Sequence, residues 1–193
     1  MDNVEKDPFA DIQADTRRHR IQHGCEAYTF EDGPALIRIA RKRRPGKILE
    51  LGTALGYTAC CLAHGSPQAR VDTIEGDPAH VELAREHIGR HGLQSRITVH
   101  HGDFDNVLDH LAYGYDMAFF DGFAPAMETI TRVRERLVPG GTLVCANLRL
   151  GSGADAQRLA TELADASRWQ RQGTIENGGT AILVKQPEGS PTA

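Results

Sequence analysis

The first residues that could do chemistry form a loop with two glycines directly after a short apolar run. The loop covers residues 50–58, with the sequence ELGTALGYT, and a helix-like segment follows it. Glycine lets a backbone turn sharply and approach a ligand closely, and a following helix offers free N–H groups. No Gly-Lys-Ser/Thr follows, and the spacing of Gly52 and Gly56 does not fit G-x-G-x-x-G, so neither a phosphate loop nor a dinucleotide fingerprint is predicted. Two glycines after a strand fit a ligand site and a plain turn about equally.

Acidic residues stand at the ends of the next three predicted strands. Glu75 comes about 20 residues after the glycine loop, where a carboxylate can accept hydrogen bonds from both hydroxyls of a ribose. Asp77 is predicted to cap the next helix. Asp103 fits two roles equally. It can accept a hydrogen bond from an adenine amino group, with Phe104 lining the ring, or it can cap the next helix. Asp121 ends a buried strand, where an unpaired carboxylate is costly unless something uses it, so a functional role is predicted.

The elements that must position these residues alternate between strand and helix patterns. Continuous apolar runs such as 117–120 are typical of a parallel sheet that is covered on both faces. No helix separates the last two runs, and the Glu-Asn-Gly-Gly sequence at 176–179 is typical of a hairpin with one antiparallel strand. We therefore predict an α/β, Rossmann-like sheet of seven mostly parallel strands with a C-terminal antiparallel hairpin and helices on both faces. The predicted strands are 47–51, 71–75, 97–101, 115–120, 142–146, 169–175 and 180–185, and the predicted helices are 7–22, 33–44, 57–64, 78–91, 105–113, 127–137 and 154–166.

One domain fits the length of 193 residues. We expect residues 1–32 to form an N-terminal helical extension and loop. Residues 33–185 are predicted to be the ligand-binding domain, and residues 186–193, which contain Pro, Gly and Ser, a disordered tail. In an open α/β sheet, ligands bind outside the carboxyl ends of the strands, so the residues singled out above are expected to meet at one edge.

Composition excludes several classes of partner. With 22 basic and 26 acidic side chains, the net charge of −4 does not favour nucleic acid or an anionic membrane. No apolar run approaches the roughly 18 residues of a membrane span, and the acidic N-terminus lacks the apolar region of a signal peptide. The four cysteines form no C-x-x-C pair and are expected to be reduced and mostly buried. A cytoplasmic location is predicted.

Five segments in this order resemble the catechol O-methyltransferase-like family of class I methyltransferases. They are ILELGTALGYT, TIEGDP, HHGDF, YDMAFFDGF and LVPGGTLVCANL, and the resemblance covers nearly all of residues 33–185. It implies S-adenosyl-L-methionine as cofactor, O-methylation of a small-molecule acceptor and a homodimer. It implies a backbone that passes under the cofactor at Gly56. The implied cofactor contacts, completed by Phe104 and Asp121, are Glu50, Gly52, Ala54, Gly56, Tyr57, Thr58, Glu75 and Asp103.

The chain also departs from the pattern of this family. The family holds Mg²⁺ with an Asp after strand four and an Asp-Asn pair after strand five; here Asp121 and Asn147 match, but Ala146 replaces the middle carboxylate. Ala124 stands at the position of the family's catalytic lysine. Mg²⁺ prefers near-octahedral oxygen ligands, so we predict no metal ligand and consider Mg²⁺ unlikely. A base must then come from Asp121, His23 or the substrate, and Asp121 is the predicted catalytic residue because its charge can also balance the sulfonium.

Few aromatic residues are available to hold an acceptor. Tyr28, Phe30 and Phe123 are candidates for its wall, whereas Trp169 is expected to pack on the sheet.

Three other functions stay open. A cofactor-binding protein without activity would explain Ala124 and Ala146. An aminopropyl transferase of the same fold needs acidic groups for a polyamine, and the segment that begins at Asp121 supplies only one. An RNA methyltransferase is disfavoured by the net charge of −4.

Overall fold

A seven-stranded sheet is the centre of the fold in this computed structural model, which describes residues 7–187. Its strands follow one another in the spatial order β3-β2-β1-β4-β5-β7-β6. Both β1 and β4 are almost entirely buried, as expected for parallel strands with helices on both faces. The strands are β1 (Lys47–Leu51), β2 (Arg70–Glu75), β3 (Ile97–His101), β4 (Tyr115–Phe120), β5 (Leu137–Cys145), β6 (Trp169–Ile175) and β7 (Thr180–Lys185).

The last strand runs against its neighbours. β7 pairs antiparallel with both β5 and β6, while the pairs β3-β2, β2-β1, β1-β4 and β4-β5 are parallel. The connection is a short 3₁₀ turn, Glu176–Gly178, in which Glu176 and Asn177 both have a positive φ. The predicted sheet with its C-terminal hairpin is confirmed.

Residues 7–187 form seven α-helices, and three of them begin at a capping aspartate. Asp32, Asp77 and Asp103 accept backbone hydrogen bonds from α2, α4 and α5 respectively, which satisfies N–H groups that a helix start leaves free. The cap predicted for Asp77 is therefore confirmed. The helices are α1 (Ala10–His23), α2 (Gly33–Arg43), α3 (Tyr57–Gly65), α4 (Pro78–Arg90), α5 (Phe104–His110), α6 (Met127–Arg136) and α7 (Gly153–Ala164).

Three boundaries differ from the prediction by three residues or more. α1 begins at Ala10 instead of residue 7, because residues 8 and 9 form a turn in which Asp7 Oδ1 accepts from the N–H of Phe9 at 2.9 Å. β5 begins at Leu137 instead of residue 142, because Leu137 pairs with Tyr115 before the register shifts to Thr142 opposite Met117. Pro139 lies in this irregular stretch, where it has no N–H to give to a ladder. α5 ends at His110, three residues early, because the chain turns so that Gly114 N–H reaches Arg136 O at 2.9 Å.

Two apolar clusters fill the two sides of the sheet. Alternation along β1 divides the side chains: Ile48 packs with α2, α3 and α4, whereas Leu49 and Leu51 pack with α6 and α7. Phe9 and Ile12 from the start of the chain join the first cluster. Where the domain begins stays a prediction, and residues 188–193 of the predicted tail lie outside the described part of the chain. Among residues 7–187, no helix has the length and apolar character that crossing a membrane requires.

Candidate active site

A cavity of about 810 Å³ lies at the carboxyl ends of the parallel strands. This volume is within the range of small-molecule sites, roughly 300–1,000 Å³. The chain lines it with the loop after β1, the ends of β2, β4 and β5, and a wall from the N-terminal segment. Of the ten residues predicted to contact a cofactor, seven line this cavity: Gly52, Ala54, Tyr57, Thr58, Glu75, Phe104 and Asp121.

The two glycines of the first loop serve different purposes. Both have a left-handed backbone, with φ of 97° at Gly52 and 93° at Gly56. A Cβ on Gly52 would lie 2.5 Å from the backbone oxygen of Asp121, so only glycine lets the ends of β1 and β4 come this close. A Cβ on Gly56 would instead meet Ile88 at 3.4 Å on α4. Gly56 does not line the cavity, although its neighbours Leu55 and Tyr57 do, and the contact of its backbone with a cofactor stays a prediction.

Glu75 is held rigidly at the end of β2. Its Oε2 accepts from the N–H of Ala54 at 2.8 Å, and its Oε1 accepts from the N–H of Asp77 at 3.0 Å. A carboxylate has about four acceptor sites, so lone pairs remain for a ligand in the cavity. The geometry fits the predicted ribose acceptor.

Glu50 lies behind the loop and is completely buried. Its Oε2 accepts from the Thr73 hydroxyl at 2.5 Å, while its Oε1 has no hydrogen-bond partner among the described residues. Burial raises the pKa of Glu50 to about 7, the hydroxyls of Thr58 and Thr73 partly offset this rise, and the nearby Glu75 adds to it. Glu50 does not line the cavity, and its predicted contact with a cofactor stays a prediction.

Asp121 and Asn147 meet at the ends of β4 and β5. The Asn147 Nδ2 donates to Asp121 Oδ1 at 3.1 Å and to the backbone oxygen of Gly122 at 2.6 Å. Burial, together with the like charges of Glu50 and Glu176, raises the pKa of Asp121 well above its usual range. Ala146 is buried and reaches this point only with its backbone, whose N–H donates to Phe120 O at 2.9 Å.

Phe104 lines the cavity, but the aspartate before it does not. The side chain of Asp103 accepts from the N–H of Asn106 at 2.9 Å and is exposed. Backbone and side-chain hydrogen bonds from Asn106 lower the pKa of Asp103, as expected for a helix cap. Of the two roles predicted for Asp103, the cap is present in the structure, and the role as an adenine acceptor stays a prediction.

The methyltransferase domain family matches residues 49–148 of this chain. A catechol O-methyltransferase from Niastella koreensis is 32% identical over 174 residues, which is 79% of each protein. The chain belongs to the class I S-adenosylmethionine-dependent O-methyltransferase family. A catechol O-methyltransferase from Sus scrofa is 31% identical over 123 residues, and this region is 62% of the chain and 63% of the porcine enzyme.

Solved structures show the same fold. An O-methyltransferase from Streptomyces achromogenes, involved in tomaymycin synthesis and solved in complex with S-adenosylmethionine, superposes with a TM-score of 0.81. The superposition covers 96% of this methyltransferase and 92% of the Streptomyces enzyme, and the two sequences are 23% identical. The likeness supports the fold and carries no information about the acceptor.

An aromatic wall stands on one side of the methyltransferase cavity. Tyr28, Phe30 and Phe123 line it, as predicted, and the Tyr28 and Phe123 side chains are also among the most exposed large apolar groups. Trp169 is buried in the second apolar cluster and packs on the sheet, which confirms that prediction. Phe30 is fixed from behind by an edge contact with Phe119, with ring centroids 5.3 Å apart.

Three histidines near the strand ends and α1 lie outside the cavity lining, and one of them is His23, the histidine considered as a base. His23 is exposed at the end of α1. His100 pairs with Asp72 at 2.9 Å, and His101 contacts Gly76 O at 3.2 Å. Asp121 is therefore the predicted base that the structure brings to the cavity.

Several lining residues were not found from the sequence. Glu176 enters from the turn before β7, where the Thr180 hydroxyl donates to its Oε2 at 2.6 Å. Thr16 and Glu26 come from the N-terminal segment, and Leu150 comes from the loop after β5. No local motif marks these positions. One sequence signal could have pointed to Glu176. It lies in the hairpin turn before β7, which pairs with β5, and Asn147 follows β5.

Proposed function

We propose that this methyltransferase transfers a methyl group from S-adenosylmethionine to a hydroxyl of a small acceptor, without a divalent cation. One observation carries the proposal: Glu75 and Asp121 line the same cavity on either side of the Gly52 turn. Glu75 is placed for the ribose and Asp121 for the methyl end, with Phe104 beside the adenine. Gly52, Ala54, Tyr57 and Thr58 complete the proposed cofactor contacts.

For this reaction the protein mainly has to position the cofactor and the acceptor. The bound cofactor supplies an electrophilic methyl on a sulfonium. Tyr28 and Phe123 would hold the acceptor so that its hydroxyl oxygen lies beside that methyl group. Ionised Asp121 balances the positive sulfur or takes the hydroxyl proton.

The cavity lining favours an acceptor that is aromatic and carries no negative charge. Its five acidic residues are Glu26, Glu31, Glu75, Asp121 and Glu176, and no lysine, arginine or histidine from the described residues lines it. An anionic acceptor would meet like charge, whereas an aromatic ring can pack on Tyr28 and Phe123. A catechol with an aminoethyl group should therefore be a better substrate than a catechol carboxylate, and the reverse preference would contradict this acceptor class.

The acidic lining also bears on the aminopropyl transferase. Glu26, Glu31 and Glu176 add carboxylates that a polyamine could use beyond Asp121. Incubation with decarboxylated S-adenosylmethionine and a diamine tests this alternative, and product formation there without methyl transfer would favour it.

Methyl transfer is expected to survive EDTA. Ala146 removes one carboxylate from the expected cation site, and Asn147 already donates to Asp121. Activity should be the same in EDTA and in excess Mg²⁺. Loss with chelator and recovery with Mg²⁺ would contradict the metal-free proposal and would point to Glu176 as the replacing oxygen ligand.

The function itself is tested by calorimetry with S-adenosylhomocysteine. Glu75→Ala should weaken binding by about 10- to 100-fold, because hydrogen bonds to a charged group contribute about 1.5–3 kcal/mol each. Glu82→Ala is the matched control, since Glu82 is exposed on α4 outside the cavity lining, and it should keep the affinity. If folded Glu75→Ala binds S-adenosylhomocysteine with the affinity of the wild type, Glu75 does not belong to the proposed site.

A cytoplasmic location and a homodimer stay predictions.

A further inference from the structure

Three side chains outside the cavity lining bring nitrogen and sulfur atoms together. His19 on α1, Cys25 just after it and His80 in the first turn of α4 each place one ligand atom within 4.8 Å of the others. We propose that these three residues bind a zinc ion between the N-terminal segment and α4. None of the three residues lines the cavity, although Glu75, the proposed ribose acceptor, lies 3.6 Å from His80.

The donor set selects the metal. Cysteine sulfur and histidine nitrogen are the ligands that Zn²⁺ prefers, whereas Mg²⁺ and Ca²⁺ require mostly oxygen. Tetrahedral bonds of about 2.0–2.3 Å place neighbouring ligand atoms on the order of 3.5 Å apart, so the three residues must approach slightly. His19 and Cys25 are only partly buried and have room to do so. Three protein ligands leave the fourth position to water.

Carboxylates support the buried ligand. His80 is 5% exposed, with Nδ1 3.6 Å from Glu75 Oε1 and Nε2 3.9 Å from Asp77 Oδ2. A histidine that ligates a metal usually has a carboxylate or carbonyl at its other nitrogen, which orients the ring. Either nitrogen of His80 can therefore bind zinc while the other keeps an acidic partner.

Two other imidazoles lie close to His19. Its ring lies 4.4 Å from the ring of His23 and 5.3 Å from that of His80. Neutral imidazole nitrogens in such a cluster are available as ligands for a metal ion.

The position of the site gives zinc a structural consequence. Thr16 on α1 lines the cavity. Glu26 and Tyr28, which follow Cys25 in the chain, line it as well. Zinc would join this covering segment to the helix that starts beside Glu75. Bound zinc is therefore expected to stabilise the folded protein and to hold the wall of the cavity in place.

Metal titration of the full chain, purified without a histidine tag and freed of metal with a chelator that is then removed, tests the proposal. One equivalent of Co²⁺ should give a thiolate-to-cobalt charge-transfer band, and Zn²⁺ should displace it. Cys25→Ser should abolish the band, and His19→Gln should weaken zinc binding at least about tenfold. One equivalent of Zn²⁺ should also raise the melting temperature of the wild type and not that of Cys25→Ser.

Two further choices keep the test decisive. His80→Gln alters a buried residue and can fail to fold, so the test relies on the partly exposed His19 and Cys25. His110→Gln removes an exposed imidazole on α5 and should leave binding unchanged. A cobalt spectrum without the thiolate band, or wild-type zinc affinity in both His19→Gln and Cys25→Ser, would overturn the proposal. Neither result depends on methyl transfer.

Discussion

At the scale of single residues, Asp121 is the carboxyl group of the cavity lining whose surroundings oppose ionisation. Burial, Glu50 and Glu176 all raise its pKa, and the Asn147 amide lowers it. In its neutral form, such a carboxyl group destabilises the folded protein little. A cation that binds beside it stabilises the ionised form. Its ionisation would thus be linked to binding of the proposed sulfonium.

Asp121→Asn separates a role in turnover from a role in the turn. The substitution keeps the shape and one acceptor oxygen but removes the charge and the ability to take a proton. Turnover should fall at least about 100-fold, while the melting temperature changes little. Steady-state methyl transfer and thermal unfolding of the same preparation give both readouts. Near-normal turnover with a large loss of stability would assign Asp121 to the Gly122 turn alone.

At the scale of elements, the loop after β1 depends on a close approach as well as on a positive φ. Gly52→Ala should reduce both stability and binding of S-adenosylhomocysteine, because its Cβ would lie 2.5 Å from a backbone oxygen of β4's end. Gly56→Ala should cost about 1–2 kcal/mol through its φ and keep most of the affinity. Denaturant unfolding and calorimetry measure the two effects.

Gly114→Ala is the matched control for these loop variants. Gly114 has a φ of 89°, close to those of Gly52 and Gly56, and an added Cβ would meet nothing within 4 Å. It therefore reports the backbone penalty without a clash. If Gly52→Ala behaves like Gly114→Ala in both assays, the close approach of β1 and β4 has no consequence for the site.

The elements also show how far sequence patterns reach. Strand ends are local features, so the sequence alone places Glu75 and Asp121 on one edge of the sheet. Whether a loop residue faces the cavity or a helix is decided by tertiary packing, and for this reason the sequence patterns alone do not show that Gly56 packs towards Ile88 or that Asp103 caps α5. Glu176 and Thr16 come from a hairpin turn and the N-terminal helix, whose positions over the sheet no short-range pattern specifies.

At the scale of the whole molecule, the buried Glu50 makes stability depend on pH. In the unfolded chain this carboxyl loses its proton near its usual pKa of 4.5, but in the folded protein it keeps the proton until about 7. Between these two values the folded state binds more protons than the unfolded state, so the free energy of unfolding falls as pH rises. The fall begins above about 4.5 and levels off once both states are ionised.

Glu50→Gln should remove this pH dependence. The difference between pH 5 and pH 8 in the free energy of unfolding should be smaller in the variant, by an amount on the order of 3 kcal/mol at most. Denaturant unfolding of both proteins at the two pH values measures it, and the other titrating groups largely cancel because both proteins share them. The amide keeps an acceptor for the Thr73 hydroxyl, whose bond to Oε2 is 2.5 Å in the native protein. If the two proteins lose stability equally between pH 5 and 8, Glu50 is already ionised in the folded state and the desolvation argument fails.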